Sequence, residues 1–307
     1  VQTTITTSVS FSGTGLHSGR PVRMTLLPAA VGHGIQFKRV DVKDGRDPML
    51  PAHWAQVEQT PLCTKLYNAD GVTLATIEHI MAALAGCGIH NILIEIDGPE
   101  VPILDGSAAR FVAKLVRAGV RQLNGNVRVL RILKPVTVQQ GDAWARLEPA
   151  DGFEISFHID FADAAIGRQD LTLDMSNGTF VRELSDCRTF CRQADVDAMR
   201  DQGLALGGTL QNAVVVDGDK VLSPGGMRHM DEPVRHKMLD ALGDLYTAGA
   251  PIIGRYTGHR AGHALTNKLL RALFADHNAW TLETSDQNHA RKLPGVGVCA
   301  ADLPMSA

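Results

Sequence analysis

The chain has 307 residues, 44% of them hydrophobic and 21% charged, an ordinary globular composition with length for two cores of normal size. Its formal net charge of −3 offers no global basic field to recruit nucleic acid or anionic lipid. No run reaches the roughly 18 consecutive apolar residues of a membrane span, and no secretory signal opens the chain.

Residues 1–60 read as short strands, TTITTSVSF, VRMTLLPA and GIQFKRV, punctuated by Gly and Pro. A helix is expected at about 76–86, then the strand NILIEID, the turn GPEVPILDG and a second helix, SAARFVAKLVRAG. Polar QLNGN at 122–126 reads as a linker. Strands resume with VRVLRILKPVTVQQ, AWARLEPA and FEISFHIDF. A helical stretch, DVDAMRDQG, and a hairpin, NAVVVDGDKVLS, lead to the amphipathic helix VRHKMLDALGDL. The strand PIIGRYTG and the helix LTNKLLRALFADH follow. The five cysteines, Cys63, Cys87, Cys187, Cys191 and Cys299, are an odd, scattered set. They do not form a disulfide framework, and a reducing cytoplasm is expected. Cys187 and Cys191 have no second pair nearby, which argues against a zinc ribbon. The chain's final stretch, ADLPMSA, gives no sign of a second catalytic module.

An internal echo organises these elements. A His-bearing helix leads to a strand, a loop and a helix twice, with His79 to Ser107 spanning 28 residues and His236 to His263 spanning 27. The fold class expected is α+β. Two similar domains, 1–125 and 126–307, would each run strands first and helices after, and packing by their helices would bring the two His-bearing helices close.

In VRHKMLDALGDL, Val234, Met238, Leu239, Leu242 and Leu245 share one arc, and His236, Lys237, Asp240 and Asp244 fill the other. His236 and Asp240, at i and i+4, are neighbours on the helix surface, the spacing by which one helix offers two metal ligands. A salt-bridged solvated face is the commoner origin of that spacing taken alone. Two features favour chemistry: short His and Asp in place of Glu and Lys, and Gly243, which costs about 1 kcal/mol in a helix unless something approaches closely. His79 in TIEHIMAALAG lies off its helix's apolar arc, beside Ala83 and Gly86, and supplies a third ligand candidate. Glu78 adjoins it, placed to act as general base. His263, after a Gly and before a helix, is a candidate proton donor that Asp244 would orient. Taken singly, each of these also reads as an ordinary core-edge or helix-start residue.

Together, Glu78-His79 in TIEHIMAALAG, the run RHKMLDALGDLY and GHALTNKLL resemble the UDP-3-O-acyl-N-acetylglucosamine deacetylases of Gram-negative bacteria. GTGLHSG, LCT, GPEVPILDGSA, CRTF and GLALGG agree, in order, from about residue 5 onward. The resemblance implies zinc-dependent hydrolysis of the substrate's acetamide, the committed step of lipid A synthesis, in the cytoplasm. It implies His79, His236 and Asp240 as zinc ligands, Glu78 as base, and His263 with Asp244 as acid. Two imidazoles and one carboxylate also suit Fe²⁺. Thr189 would hold the oxyanion and Lys237 would assist. Asp160 and Phe161 would meet uridine, and His17 the diphosphate. Leu62, Thr64 and Arg260 are further substrate-contact candidates. An insertion at about 190–215 would form the acyl passage, lined by Phe190, Val196 and Leu204. The expected partner is the sugar nucleotide alone, with no nucleic acid, no membrane span and a monomeric chain.

His90, His229-Met230, Ala143 and Arg260 depart from the family pattern, and none belongs to the metal or acid–base set. They bear on nucleotide binding. The competing readings are a zinc amidohydrolase for another N-acyl substrate and a catalytically dead UDP-sugar binder.

Overall fold

The computed structural model describes residues 1–304; the last three residues of ADLPMSA lie outside the described residues. Period-two alternation builds the sheets. In Phe153–Asp160, for example, Phe153, Ile155, Phe157 and Ile159 are buried while the residues between them face outward.

The first sheet comprises β1 (Val9–Thr14), β2 (Pro21–Pro28), β3 (Ile35–Arg39), β4 (Met49–Pro51) and β5 (Ile92–Ile96), in the order β1-β2-β5-β3-β4. Its β3–β5 pair is parallel and its other pairs antiparallel. The second sheet contains β6 (Val136–Gln140), β7 (Ala143–Glu148), β8 (Phe153–Asp160), β9 (Arg168–Asp174) and β10 (Ile252–His259), in the order β6-β7-β10-β8-β9. Among these five strands too only the β8–β10 pair is parallel. The echo read from the sequence thus extends to the order and direction of five strands in each sheet. Arg128–Ile132 and Trp280–Thr284 add to the second sheet beside β10.

Five helices matter to the site: α1 (Glu78–Gly86), α2 (Ala109–Ala118), α3 (Gln193–Asp201), α4 (Glu232–Tyr246) and α5 (His263–Ala275). None of the helices among the described residues is long and apolar enough to cross a membrane. The fold is α+β, with the helices α1 and α4 packed directly on each other. All nine residues of α1 are buried, as expected of a helix apolar nearly all round.

That packing decides between the two readings of α4. Its polar arc faces α1 rather than solvent, and His236, Asp240 and Asp244 are 2%, 6% and 4% exposed. Gly243 is needed for α1 itself and gives no clearance to a ligand: a Cβ there would lie 2.0 Å from the Glu78 carbonyl oxygen and 3.0 Å from the Ala82 nitrogen. Gly86 likewise makes room for the Phe180 ring, 1.9 Å from where its Cβ would stand. Alanine is about 1 kcal/mol the better helix former. Gly243→Ala is nevertheless expected to destabilise the protein by about 1–3 kcal/mol, because the clash is with backbone and no side chain can swing away. A urea midpoint equal to or above wild type would contradict this.

The sequence reading also merged or missed elements. TTITTSVSF is two strands, and its first part, Thr3–Ile5, pairs with Val120–Gln122, so the linker begins one residue later than expected. Strand β9 went unread because RQDLTLD alternates between exposed and half-buried positions and looks like loop. Phe180–Leu184 forms a single π-helical turn, and Val57–Glu58, Lys65–Tyr67 and Thr73–Leu74 form a small sheet leading into α1.

Candidate active site

The α1–α4 contact brings three side chains to one point. His79 from α1 and His236 and Asp240 from α4 each offer a donor atom, all within 4.8 Å of one another, and all three are buried. Asp240 Oδ1 is buried and makes no hydrogen bond. His79 Nε2 and His236 Nε2 stand 3.5 and 3.3 Å from it, spacings set for a shared centre and longer than good hydrogen bonds. An orphaned buried carboxylate oxygen between two imidazole nitrogens is costly unless a cation completes it. The donor set therefore fits a metal ion, and the two nitrogens with one oxygen leave room for a further ligand.

Electrostatics agree. Burial pushes His236 down to about 4, leaving the ring neutral with a lone pair available. Its Nδ1 donates to the Cys187 carbonyl at 2.9 Å, which fixes the tautomer and aims Nε2 at the cluster. Burial would also lower His79, but Asp240 beside it wins and raises it; a bound cation would take the place of that proton. Burial works against ionised Asp240, yet His236 and His263 hold its carboxyl well below the usual range.

Glu78 and His263 flank this centre. Burial raises Glu78 to about 7, offset in part by His263 and His79. For His263, burial acts downward, but Asp244, Glu78 and Asp240 overcome it and hold the ring at about 9. His263 Nδ1 donates to Asp244 Oδ2 at 2.8 Å, while Nε2 lies 3.9 Å from both Glu78 Oε1 and Asp240 Oδ2. The turn that launches α5 explains this aim: Arg260 adopts φ 51°, a left-handed conformation uncommon for a side-chain-bearing residue.

Thr64 couples the two groups. Its N–H donates to Glu78 Oε2 at 3.0 Å and its hydroxyl to Asp244 Oδ1. It is 3% exposed, beneath the acid–base pair, while the sequence reading grouped it with substrate contacts. Glu100 is a residue the sequence reading missed. It is 2% exposed, and it accepts from the N–H groups of His17 and Ser18 at 2.9 and 2.8 Å and from the Thr76 hydroxyl at 2.9 Å. It thus ties the glycine-rich turn to the segment leading into α1, where Thr76 sits at φ 60°. Both ring nitrogens of His17 are buried without a partner, and burial lowers its pKa.

A cavity of about 860 Å³ opens over this centre, with His236, Lys237, Asp240, His263 and Thr189 in its wall. Thr189 is pinned through its backbone, to Gly106 O and from Val214 N, both at 2.8 Å, and no hydrogen bond engages its hydroxyl among the described residues. Lys237 Nζ lies 3.8 Å from Asp240 Oδ2. Asp160, Phe161 and Arg260 line one part of the wall, with Arg260 Nη2 3.3 Å from Asp160 Oδ2. Phe161 and Phe190 meet edge to face at 5.5 Å. Leu62, Phe190 and Val196 line the cavity as well; Leu204, His17 and Thr64 do not. Met199, Ala213 and Val215 complete its apolar stretch. Their only sequence signal was position within the insertion.

A family model described as UDP-3-O-acyl N-acetylglycosamine deacetylase matches residues 2–275. The UDP-3-O-acyl-N-acetylglucosamine deacetylase of Shewanella sp. (strain W3-18-1) is 47% identical over 307 residues, 99% of this chain and 96% of the relative. Those of Shewanella oneidensis and Shewanella baltica (strain OS155) are each 46% identical, covering 92% and 99% of this chain and 92% and 96% of the relatives.

Proposed function

The chain belongs to the family of UDP-3-O-acyl-N-acetylglucosamine deacetylases, and from that premise we propose that it hydrolyses the acetamide of UDP-3-O-acyl-N-acetylglucosamine, in lipid A biosynthesis, at a zinc centre held by His79, His236 and Asp240. The observation that carries the reading is the orphaned Asp240 Oδ1 between two imidazole nitrogens, with Glu78 and His263 alongside. Bound there, the ion supplies Lewis acidity toward the carbonyl and lowers the pKa of water. Fe²⁺ suits the same donors.

The residues divide the remaining work. Glu78, ionised above about pH 7, takes the proton of the attacking water. The acetamide carbonyl oxygen gains charge as the carbon becomes tetrahedral. The free hydroxyl of Thr189 is placed to donate to it, a contribution of about 3 kcal/mol for one such donor. Lys237 adds positive charge at the same wall of the cavity. His263, still protonated below about pH 9, gives its Nε2 proton to the departing amine. Asp244 holds the other side of the ring, and Thr64 holds Asp244 and Glu78 in register. Acetate and the free 2-amino sugar nucleotide result.

Substrate contacts follow the cavity. The apolar run from Phe190 and Val196 to Val215 takes the acyl chain, while Asp160, Phe161 and Arg260 meet the nucleotide. His17, which the family resemblance assigns to the diphosphate, stands outside the cavity wall next to the lining residue Leu16, with both ring nitrogens buried and unpartnered. We assign the halves 1–125 and 126–307 as the two domains, on the strength of the duplicated strand order. The buried, unpaired state of Cys63, Cys87 and Cys187 supports a reducing, cytoplasmic setting.

The test is acetate release from UDP-3-O-acyl-N-acetylglucosamine, with UDP as competitor. Binding of UDP without acetate release by metal-loaded protein would contradict the reading. In the same assay kcat/KM is expected to be bell-shaped, rising as Glu78 loses its proton near pH 7 and falling as His263 loses its own near pH 9. A profile flat between pH 6 and 10 would remove both assignments. Thr64→Val keeps the N–H to Glu78 but deletes the hydroxyl on Asp244. It is expected to cost about 2–10-fold in kcat, the worth of one hydrogen bond, and an unchanged kcat would make that hydroxyl incidental.

A further inference from the structure

We propose that Asp186, Cys187 and His229 form a second metal site, which takes a borderline divalent cation of the zinc class and braces the segment that holds His236. One donor atom from each lies within 4.8 Å of the others. His229 Nε2 is 2.8 Å from Asp186 Oδ1, and Cys187 Sγ is 3.9 Å from the same oxygen. Ligand atoms at about 2.0–2.3 Å from a tetrahedral ion stand roughly 3.3–3.8 Å apart, a spacing these two distances bracket. A set of one sulfur, one nitrogen and one oxygen disfavours Mg²⁺ and Ca²⁺, which take oxygen ligands, and suits Zn²⁺ or Co²⁺.

The three residues are held in place by bonds that do not depend on the His229–Asp186 contact. Arg228 donates to the Asp186 carbonyl at 2.7 Å and to Asp105 at 2.9 Å. Arg188 reaches from the Cys187 segment to the Gly226 carbonyl at 2.7 Å and pairs with Glu232 at 3.0 Å. The loop bearing His229 is therefore clamped onto the segment bearing Asp186 and Cys187, the pre-organisation a metal site requires. The neighbouring guanidiniums are neutralised: Arg188 by Glu232, Arg228 by Asp105, and Arg235 by Glu183 and Asp231. No unpaired cation among them repels an incoming ion. Cys187 is fully buried, but the His229 side chain is 29% exposed, so the ion enters from that side and water completes its shell. As it binds, the Cys187 thiol gives its proton to solvent, and His229 binds through Nε2 as the neutral ring.

The site is coupled to the catalytic centre by one peptide group. The Cys187 carbonyl accepts the Nδ1–H of His236 at 2.9 Å, and Thr189 is two residues further on. An ion on the Cys187 side chain stiffens the backbone that orients both. Nothing in the proposed hydrolysis uses Asp186, Cys187 or His229.

The experiment titrates Co²⁺ into protein whose catalytic site is already loaded with Zn²⁺. The catalytic ligands contain no sulfur, so a near-ultraviolet sulfur-to-cobalt charge-transfer band reports Cys187. The band is expected in wild type and in Cys63→Ala, and its loss is expected in Cys187→Ala. His229→Phe should weaken Co²⁺ binding by roughly tenfold or more. Zn²⁺ beyond the catalytic equivalent should raise Tm in wild type and not in His229→Phe. No band in wild type, or a band that survives Cys187→Ala, would leave Asp186–His229 as an ion pair beside a core thiol and overturn the proposal. If Cys187→Ala does not fold, undiminished Co²⁺ affinity in His229→Phe overturns it equally.

Discussion

His263→Ala is expected to cut kcat by about 10²–10⁴-fold while leaving metal content and KM close to wild type. The ring is not one of the three converging donors; its Nε2 stands 3.9 Å from Asp240 Oδ2, so removing it leaves the ligand set whole. The loss falls on proton delivery to the leaving amine, a transition-state event that substrate binding does not share. The alkaline limb of the pH profile near pH 9 should vanish with the ring, while the acidic limb, which belongs to Glu78, should persist and move upward, because the His263 charge that opposes the effect of burial is gone. Asp244, buried at 4% exposure, would keep the Thr64 hydroxyl as its partner, which limits the structural damage. Steady-state kinetics with elemental analysis of the same sample check this. Turnover near wild type would remove His263 from the chemistry, and loss of the metal would make it a ligand.

His236→Ala should behave differently, losing the metal and the activity together. Two imidazoles and a carboxylate are the minimum that holds such an ion firmly. Disturbing groups that merely orient ligands already costs about 10–100-fold in metal affinity, and removing a ligand itself exceeds that. Asp240 Oδ1 would be left with His79 as its one imidazole neighbour, while Lys237 and His263 stay near Oδ2, and its cation would be weakened or gone. Excess Zn²⁺ should restore some stability but little turnover. A chelator should lower Tm in wild type, where the ion binds the folded state only, and have a much smaller effect in His236→Ala. Wild-type metal content together with wild-type turnover in this variant, at micromolar protein and no added metal, would show that the three residues are not the site.

These contrasts bear on how far the sequence could be read. The spacing of His236 and Asp240 is set by the helical period, so their common face was visible in one line of residues. What no local pattern could reveal was which side of α4 the second helix covers. The polar arc is buried along with the leucine arc, because Gly243 admits the backbone of α1 at Glu78 and Ala82. Glycine's cost in a helix signalled a close approach but not what approaches. Similarly, the recurring helix–strand–helix order was legible, while the matching five-strand order of the two sheets depends on non-local pairing, including β9 with its loop-like composition. Glu100 escaped functional reading, and Thr64 was read as a substrate contact, for a related reason. Each acts through hydrogen bonds to residues far away in sequence, Thr64 to Asp244 and Glu100 to the turn at His17 and Ser18. Their residue types carry no motif of their own. The family resemblance located the chemistry; the pKa values that make Glu78 a base and His263 an acid come from burial and neighbouring charge, which exist only in the folded chain.

The most direct test is to strip the purified protein of metal with a chelator, measure acetate release from UDP-3-O-acyl-N-acetylglucosamine, and add Zn²⁺ back. Acetate release should stop in the stripped protein and return as the first equivalent of Zn²⁺ is bound. Undiminished release from protein with no measurable metal, or no release at any metal loading, would contradict a metal-dependent deacetylase centred on His79, His236 and Asp240.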